Sequence, residues 1–250
     1  MAIDIVVFGP HPDDAELGCG GLLLKMKDLG YKTAIVHLTA GEMGTGGSSE
    51  VRLQELENAA KALNLDHIEV MDFHDCQIVD DFESRLKIAT IVRQLRPKIV
   101  LAPYWGSPPG RGLGHTDHIA AGNLVSHGVN FAHLHKMPIP GEIYAVPRMF
   151  YYLLPQELVP TFIVDISAYA EQWFEALKCH KSQFYNEKTK SFDFIEAVAA
   201  RAQSLGRIRG MKYAQGFYSP VPLLVDDPFV FVEREPGEAK TEKPSHERWP

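Results

Sequence analysis

Cysteine is scarce in this 250-residue chain: Cys19, Cys76 and Cys179 are the only three, and no Cys-x-x-Cys occurs. That excludes a disulfide framework and a thiolate zinc knuckle, and it fits a reducing compartment, so a cytoplasmic location is expected. The thiols read as buried bystanders, with Cys19 the one whose position suggests a place near a site. Long apolar runs are also missing. Nothing approaches the ~18 consecutive apolar residues of a membrane span, and no basic segment precedes an apolar stretch at the start, so neither membrane nor secretory signal is expected. Positive charge is in deficit, with 25 Lys and Arg against 32 Asp and Glu and a net charge of −7. A nucleic-acid footprint needs a clustered basic face, so nucleic acid is excluded as the expected partner and small molecules stay open.

What the chain does have is apolar content for one substantial core, 45% of its residues. Ile3–Phe8 is a short apolar run of the kind that becomes a parallel strand covered on both faces. Ala15–Leu29 carries Leu17, Leu22, Leu23, Met26 and Leu29 at helical spacing and stops at Gly30. Strands follow at Thr33–Leu38, Ile68–Met71 and Lys98–Ala102, alternating with helices at Glu50–Leu63, Phe82–Leu95 and Ile119–Phe131. Strand–helix alternation at this spacing builds right-handed βαβ units. The expected fold is therefore α/β: a Rossmann-like, mostly parallel sheet with helices on both faces, in one domain over residues 1–232. The C-terminal third offers strands at Met149–Leu154 and Phe162–Asp165, helices at Ala168–Phe184 and Phe192–Gly210, and a last apolar stretch at Val221–Val225. Residues 233–250, rich in Glu, Lys and Pro, read as a disordered tail. Aromatic residues of this third (Phe150, Tyr151, Tyr152, Trp173) could feed an interface, and a homo-oligomer is expected.

Open parallel sheets bind ligands beyond the carboxyl ends of their strands. His11-Pro12-Asp13-Asp14 follows the first strand directly, and His115-Thr116-Asp117-His118 closes the loop after the fourth. Loops at Thr39–Gly47 and Phe73–Gln77 open on the same edge. His11, Asp14 and His118 then supply two imidazoles and a carboxylate, the usual catalytic zinc set with one position left open for water. Fe(II) and Co(II) accept the same donors. Asp13, pointing away from its neighbours in an extended turn, is free to act as general base. His115 could protonate a leaving amine or stabilise an oxyanion, and Asp117 could hold the imidazole in one tautomer. Arg52 and Glu55 open the next helix; they are a surface pair or, beside the site, an Arg that grips substrate hydroxyls with Glu55 holding it. Arg111 contacts an acidic aglycone or faces solvent.

Taken together these residues resemble the LmbE-like (PIG-L) family of zinc-dependent N-acetylglucosaminyl deacetylases. The resemblance rests on Pro10-His11-Pro12-Asp13-Asp14-Ala15-Glu16-Leu17-Gly18-Cys19-Gly20-Gly21, on Arg52–Glu55 and on His115–His118, and continues through Val164–Ser167, Ser182–Phe184 and Gly210–Phe217. It covers nearly all of the chain except the tail. It implies the ligands His11, Asp14 and His118, Asp13 as base, His115 as acid and Arg52 on the sugar. Within the family the chain is most similar to the bacillithiol-biosynthesis deacetylases, which implies N-acetylglucosaminyl malate as substrate. Three positions depart from the pattern: Thr116 replaces a proline, the loop 105–114 is long and glycine-rich, and Gln215 stands where an acidic residue is common. Other readings stay open. One is a zinc amidase acting on a mycothiol-type conjugate or a chitooligosaccharide. Another is a metal-stabilised sugar-binding module without turnover. A dinucleotide site fits poorly, because Gly18, Gly20 and Gly21 fall inside the helix and not in the turn, where they would allow close packing.

Overall fold

Ile5, Val6, Val7 and Phe8 alternate between two cores. Val6 and Phe8 face one apolar cluster and Ile5 and Val7 face another, as the two-residue period of a strand dictates. That strand, β1 (Ile5–Gly9), is the centre of a five-stranded sheet with β2 (Thr33–His37), β3 (His67–Val70), β4 (Ile99–Pro103) and β5 (Arg148–Tyr152). The order is β3-β2-β1-β4-β5 and every pairing is parallel, so the α/β expectation holds. The computed structural model describes residues 2–108 and 114–228; the expected tail from Glu233 lies outside the described residues. All the elements named here fall within one compact unit, Met1–Pro220, and a second unit begins at Val221.

Helices α1 (Asp14–Asp28) and α2 (Ser49–Ala62) share one face with α5 (Ala170–Lys178), while α3 (Phe82–Leu95) and α4 (Thr116–Ala132) cover the other. Helix α3 has the bounds read from its periodicity, capped by Asp81, whose carboxylate accepts the Ser84 N–H at 2.8 Å. Close packing explains the glycines of α1. A Cβ at Gly18 would lie 2.1 Å from the Tyr152 ring, and one at Gly20 2.5 Å from the Trp173 ring. Tyr152 and Trp173 also tie α1 and β1 to the C-terminal third through polar tips. Tyr152 Oη donates to the Phe8 carbonyl at 2.7 Å and Trp173 Nε1 to the Glu16 carbonyl at 2.8 Å.

Two readings of the C-terminal third need correction. The expected helix over 168–184 breaks into α5 and α6 (Lys181–Phe184), with Cys179 and His180 between them. The residues expected at an interface are spent on the core: Tyr151, Tyr152 and Trp173 are 3%, 0% and 2% exposed, and Phe150 packs edge-on against Phe162. After α6 come α7 (Asp193–Arg207) and β7 (Ala214–Phe217); β7 pairs antiparallel with β6 (Phe162–Asp165). The stretch 221–225 forms no strand.

Candidate active site

The turn after β1 is strained. Asp13 sits at φ 123°, ψ −32°, a region that costs an L-residue about 1–3 kcal/mol. Three contacts hold it there. The Asp13 N–H donates to Glu16 Oε2 at 3.2 Å, and the Leu17 N–H reaches the Asp13 carbonyl at 2.8 Å to begin α1. Arg52 reaches across from α2, donating from Nη2 to the Pro12 carbonyl at 2.9 Å and from Nη1 to the Gly41 carbonyl at 2.8 Å. Gly41 has φ +69°, and a Cβ there would meet the Arg52 guanidinium at 2.1 Å, so the glycine-rich loop after β2 is built around this arginine. The same Nη2 approaches Asp13 Oδ2 at 3.4 Å.

The sheet edge brings the predicted ligands together. Nitrogen or oxygen atoms of His11, Asp14 and His118 lie within 4.8 Å of one another. Asp14 is central: its Oδ2 is 3.1 Å from His11 Nδ1 and its Oδ1 is 3.2 Å from His118 Nε2. Burial opposes ionisation of Asp14, but His118 and His11 outweigh it and hold its carboxyl well below the usual range. Burial also opposes a charge on His11, yet Asp117, Asp14 and Asp75 push that imidazole up to about 12. The same three carboxylates that favour a proton on His11 also favour a cation placed among them. Donor atoms around a tetrahedral zinc ion with about 2.0–2.1 Å bonds stand roughly 3.3 Å apart, close to the 3.1 and 3.2 Å seen here. The donor set therefore fits a divalent ion.

His115 caps α4, its Nδ1 accepting the Asp117 N–H at 3.2 Å, and its ring stands edge-on to His11 at 5.2 Å. The Asp117 carboxylate goes elsewhere: Oδ2 lies 3.2 Å from His11 Nε2 and accepts the Cys76 N–H at 2.7 Å. The imidazole it contacts is thus His11. Asp13 faces the same cleft. Burial, with the Asp14 charge beside it, pushes its carboxyl up to about 7. Glu55 does not hold Arg52; its two oxygens accept the Ser182 N–H at 2.7 Å and the Ser182 hydroxyl at 2.6 Å. An intrahelical pair gave way to a tertiary one that anchors α6 on α2. Arg111 lies outside the described residues. Cys19 is fully buried in the core, and burial lifts its thiol well above the usual range.

Sequence reasoning missed five contributors. Asp75, 4% exposed, sits 3.0 Å from His11 Nε2, and Cys76 beside it has φ +64°. The signal was only the position of their loop at a strand's carboxyl end. Beneath the turn, Glu16 Oε1 lies 3.1 Å from His37 Nε2 and 3.7 Å from His180 Nε2, all three almost wholly buried. The cleft opens into a cavity of about 1200 Å³ lined by His11, Asp13, Asp14, Arg52, Asp75 and His115 at one end.

With this geometry in view, the likenesses to known proteins are specific. The family model PIG-L, described as GlcNAc-PI de-N-acetylase, matches residues 6–129. A diacetylchitobiose deacetylase of Thermococcus kodakarensis is 32% identical over 91% of this chain and 87% of its own length. A probable N-acetyl-alpha-D-glucosaminyl L-malate deacetylase 2 of Bacillus cereus is 27% identical over 73% of this chain and 84% of its own. Among solved structures, the conserved protein TT1542 of Thermus thermophilus superposes with a TM-score of 0.81 at 40% identity, covering 89% of this chain and 97% of that one. The chain belongs to the PIG-L (LmbE-like) family of deacetylases.

Proposed function

We propose that this protein is a metal-dependent N-deacetylase that hydrolyses the acetamide of an N-acetylglucosamine derivative. The observation that carries the reading is the convergence of His11, Asp14 and His118 within 4.8 Å, with the Asp13 carboxylate on the next residue of the same turn. Zinc, or Fe(II) or Co(II), would be held by these three side chains and would supply Lewis acidity and acidified water. Asp13 takes the proton of the attacking water as its oxygen bonds to the acetyl carbon. A carboxyl with a pKa near the working pH suits that task. His115, standing over His11, stabilises the oxyanion and returns a proton to the nitrogen, so the C–N bond breaks to acetate and amine. Arg52 holds Asp13 and the Pro12 carbonyl in register and faces the sugar. Asp117 and Asp75 orient His11.

The malate and chitobiose relatives share the acetylated glucosamine and differ in aglycone, which supports the sugar more than any one aglycone. The test is metal analysis of the purified protein with acetate release measured on N-acetylglucosaminyl malate, free N-acetylglucosamine and diacetylchitobiose. About one ion per chain and acetate from at least one substrate are expected. Protein without metal that released no acetate from any of them after ion addition would sink the reading.

A further inference from the structure

The cavity continues well beyond the carboxylates. Its volume of about 1200 Å³ exceeds the roughly 300–1,000 Å³ that holds a drug-sized ligand, so a single amino sugar leaves much of it empty. The far part runs between the segment joining β5 to β6 and helix α7. Its walls are mainly aliphatic: Leu153, Leu158 and Val159 on one side and Val198, Leu205 and Ile208 on the other, with Gln156 and Ser204 among them. It is a trough and not a flat patch. Val159 and Ile208 form an exposed rim at 80% and 68%, whereas Phe184 and Ala202, which also line it, are 9% and 4% exposed. Arg201 closes part of one wall by donating from Nη2 to the Leu154 carbonyl. Gln215 takes the Leu22 N–H on Oε1 at 2.8 Å, while its buried Nε2 has no hydrogen-bond partner, leaving one donor for a ligand oxygen.

The geometry points to an aglycone subsite for an alkyl or acyl chain, continuous with the reacting end of the cleft. The inference rests on the deacetylase reading and names the class of substrate for it. A second sugar or a dicarboxylic acid in this trough would lose most of its water to leucine, valine and isoleucine, with only Gln156, Arg201, Ser204 and Gln215 to offer polar atoms in exchange. A chain of methylenes leaves water at a gain and needs none. The concavity also favours a slender ligand over another protein surface, which would meet only the rim.

The test uses the full-length, ion-loaded protein and a series of N-acetylglucosaminides with methyl, butyl, hexyl and octyl aglycones, alongside diacetylchitobiose. kcat/KM should rise about threefold per methylene, roughly 200-fold over the five methylenes from methyl to hexyl, and then level off. In Val198→Trp, which fills the trough, the hexyl-to-methyl ratio should fall toward one. The ratio is the readout because it is insensitive to the fraction of protein folded. A second variant, Val159→Ser with Ile208→Ser on the exposed rim, should lower the ratio about fivefold without changing the mass in sedimentation. Equal kcat/KM for methyl and octyl glycosides would overturn the inference and leave the deacetylase reading intact. So would a rim variant that dissociates an oligomer while keeping the ratio, since a second copy would then be the occupant. Absence of acetate from every glycoside removes the deacetylase reading itself, and the subsite with it.

Discussion

Two buried clusters of histidine and carboxylate lie on either side of Asp13, and they differ in charge balance and in access. The first, His11, His115 and His118 with Asp14, Asp75 and Asp117, sets three carboxylates among three imidazoles, and five of the six side chains line the cleft. The second, Glu16 with His37 and His180, has one carboxylate for two imidazoles, is 0–1% exposed and does not line the cleft. The contents are similar and the physics is not. Abundant carboxylate around His11 favours positive charge from outside, whereas Glu16 has two imidazoles of its own at 3.1 and 3.7 Å. Asp13 connects the two, its N–H bound to Glu16 and its side chain in the cleft. On the proposed reading, one cluster would hold an ion and the other the backbone that aims a base at it.

The largest expected effect separates the clusters outright. His118→Ala should lose both the ion and acetate release, while His180→Ala should keep about one ion per chain. Metal analysis of the two purified variants decides it, and equal loss of metal would erase the distinction. Next comes the residue between the clusters. Asp13→Asn should retain the ion and lose about 10²–10⁴ in kcat, the usual contribution of a positioned general base. Turnover near that of the parent protein would remove Asp13 from the role of base.

The first cluster was largely legible in the sequence and the second was not. His11, Asp14 and His118 sit in compact motifs beside strands whose apolar runs are unmistakable, and the rule that such strands present their carboxyl ends together does the rest. Asp75 was out of reach because a lone carboxylate in the 73–77 loop has no periodicity to mark it. Glu16 lay in plain view within the motif, but its partners come from the end of β2 and from the break between α5 and α6, contacts only the folded chain creates. The same long-range contact explains the error over Glu55: helical spacing offered Arg52 as its partner, and Ser182, 127 residues away, won it. Strand β7, Ala-Gln-Gly-Phe, has no β-branched residue to announce it.

A third experiment tests whether the sealed cluster is structural ballast or support. Burial disfavours the Glu16 charge, but His37 and His180 hold its carboxyl below its ordinary 4.5. A depressed folded-state pKa adds stability that is fully present above the unfolded value and fades as pH falls through the folded one. Glu16→Gln should therefore cost about 3–5 kcal/mol near neutral pH, as expected when one partner of a buried pair is removed. The gap between the two proteins should shrink as pH drops below about 4.5. Urea denaturation at several pH values reads this directly, and a gap independent of pH would mean that the charge on Glu16 is not what stabilises the turn.

The smallest effect sharpens the boundary between site and scaffold. Arg52 is held by two main-chain carbonyls, from Pro12 and Gly41, and does not rely on Glu55. Glu55 instead accepts two short hydrogen bonds from Ser182 and so ties α6 to α2. Glu55→Gln keeps the shape but gives up the charge that strengthens those bonds. Stability should fall by about 1–2 kcal/mol, with kcat and KM each within about twofold of the parent. A tenfold rise in KM at unchanged stability would reverse the assignment, because only an Arg52 steadied by Glu55 transmits that substitution to the substrate and not to the fold.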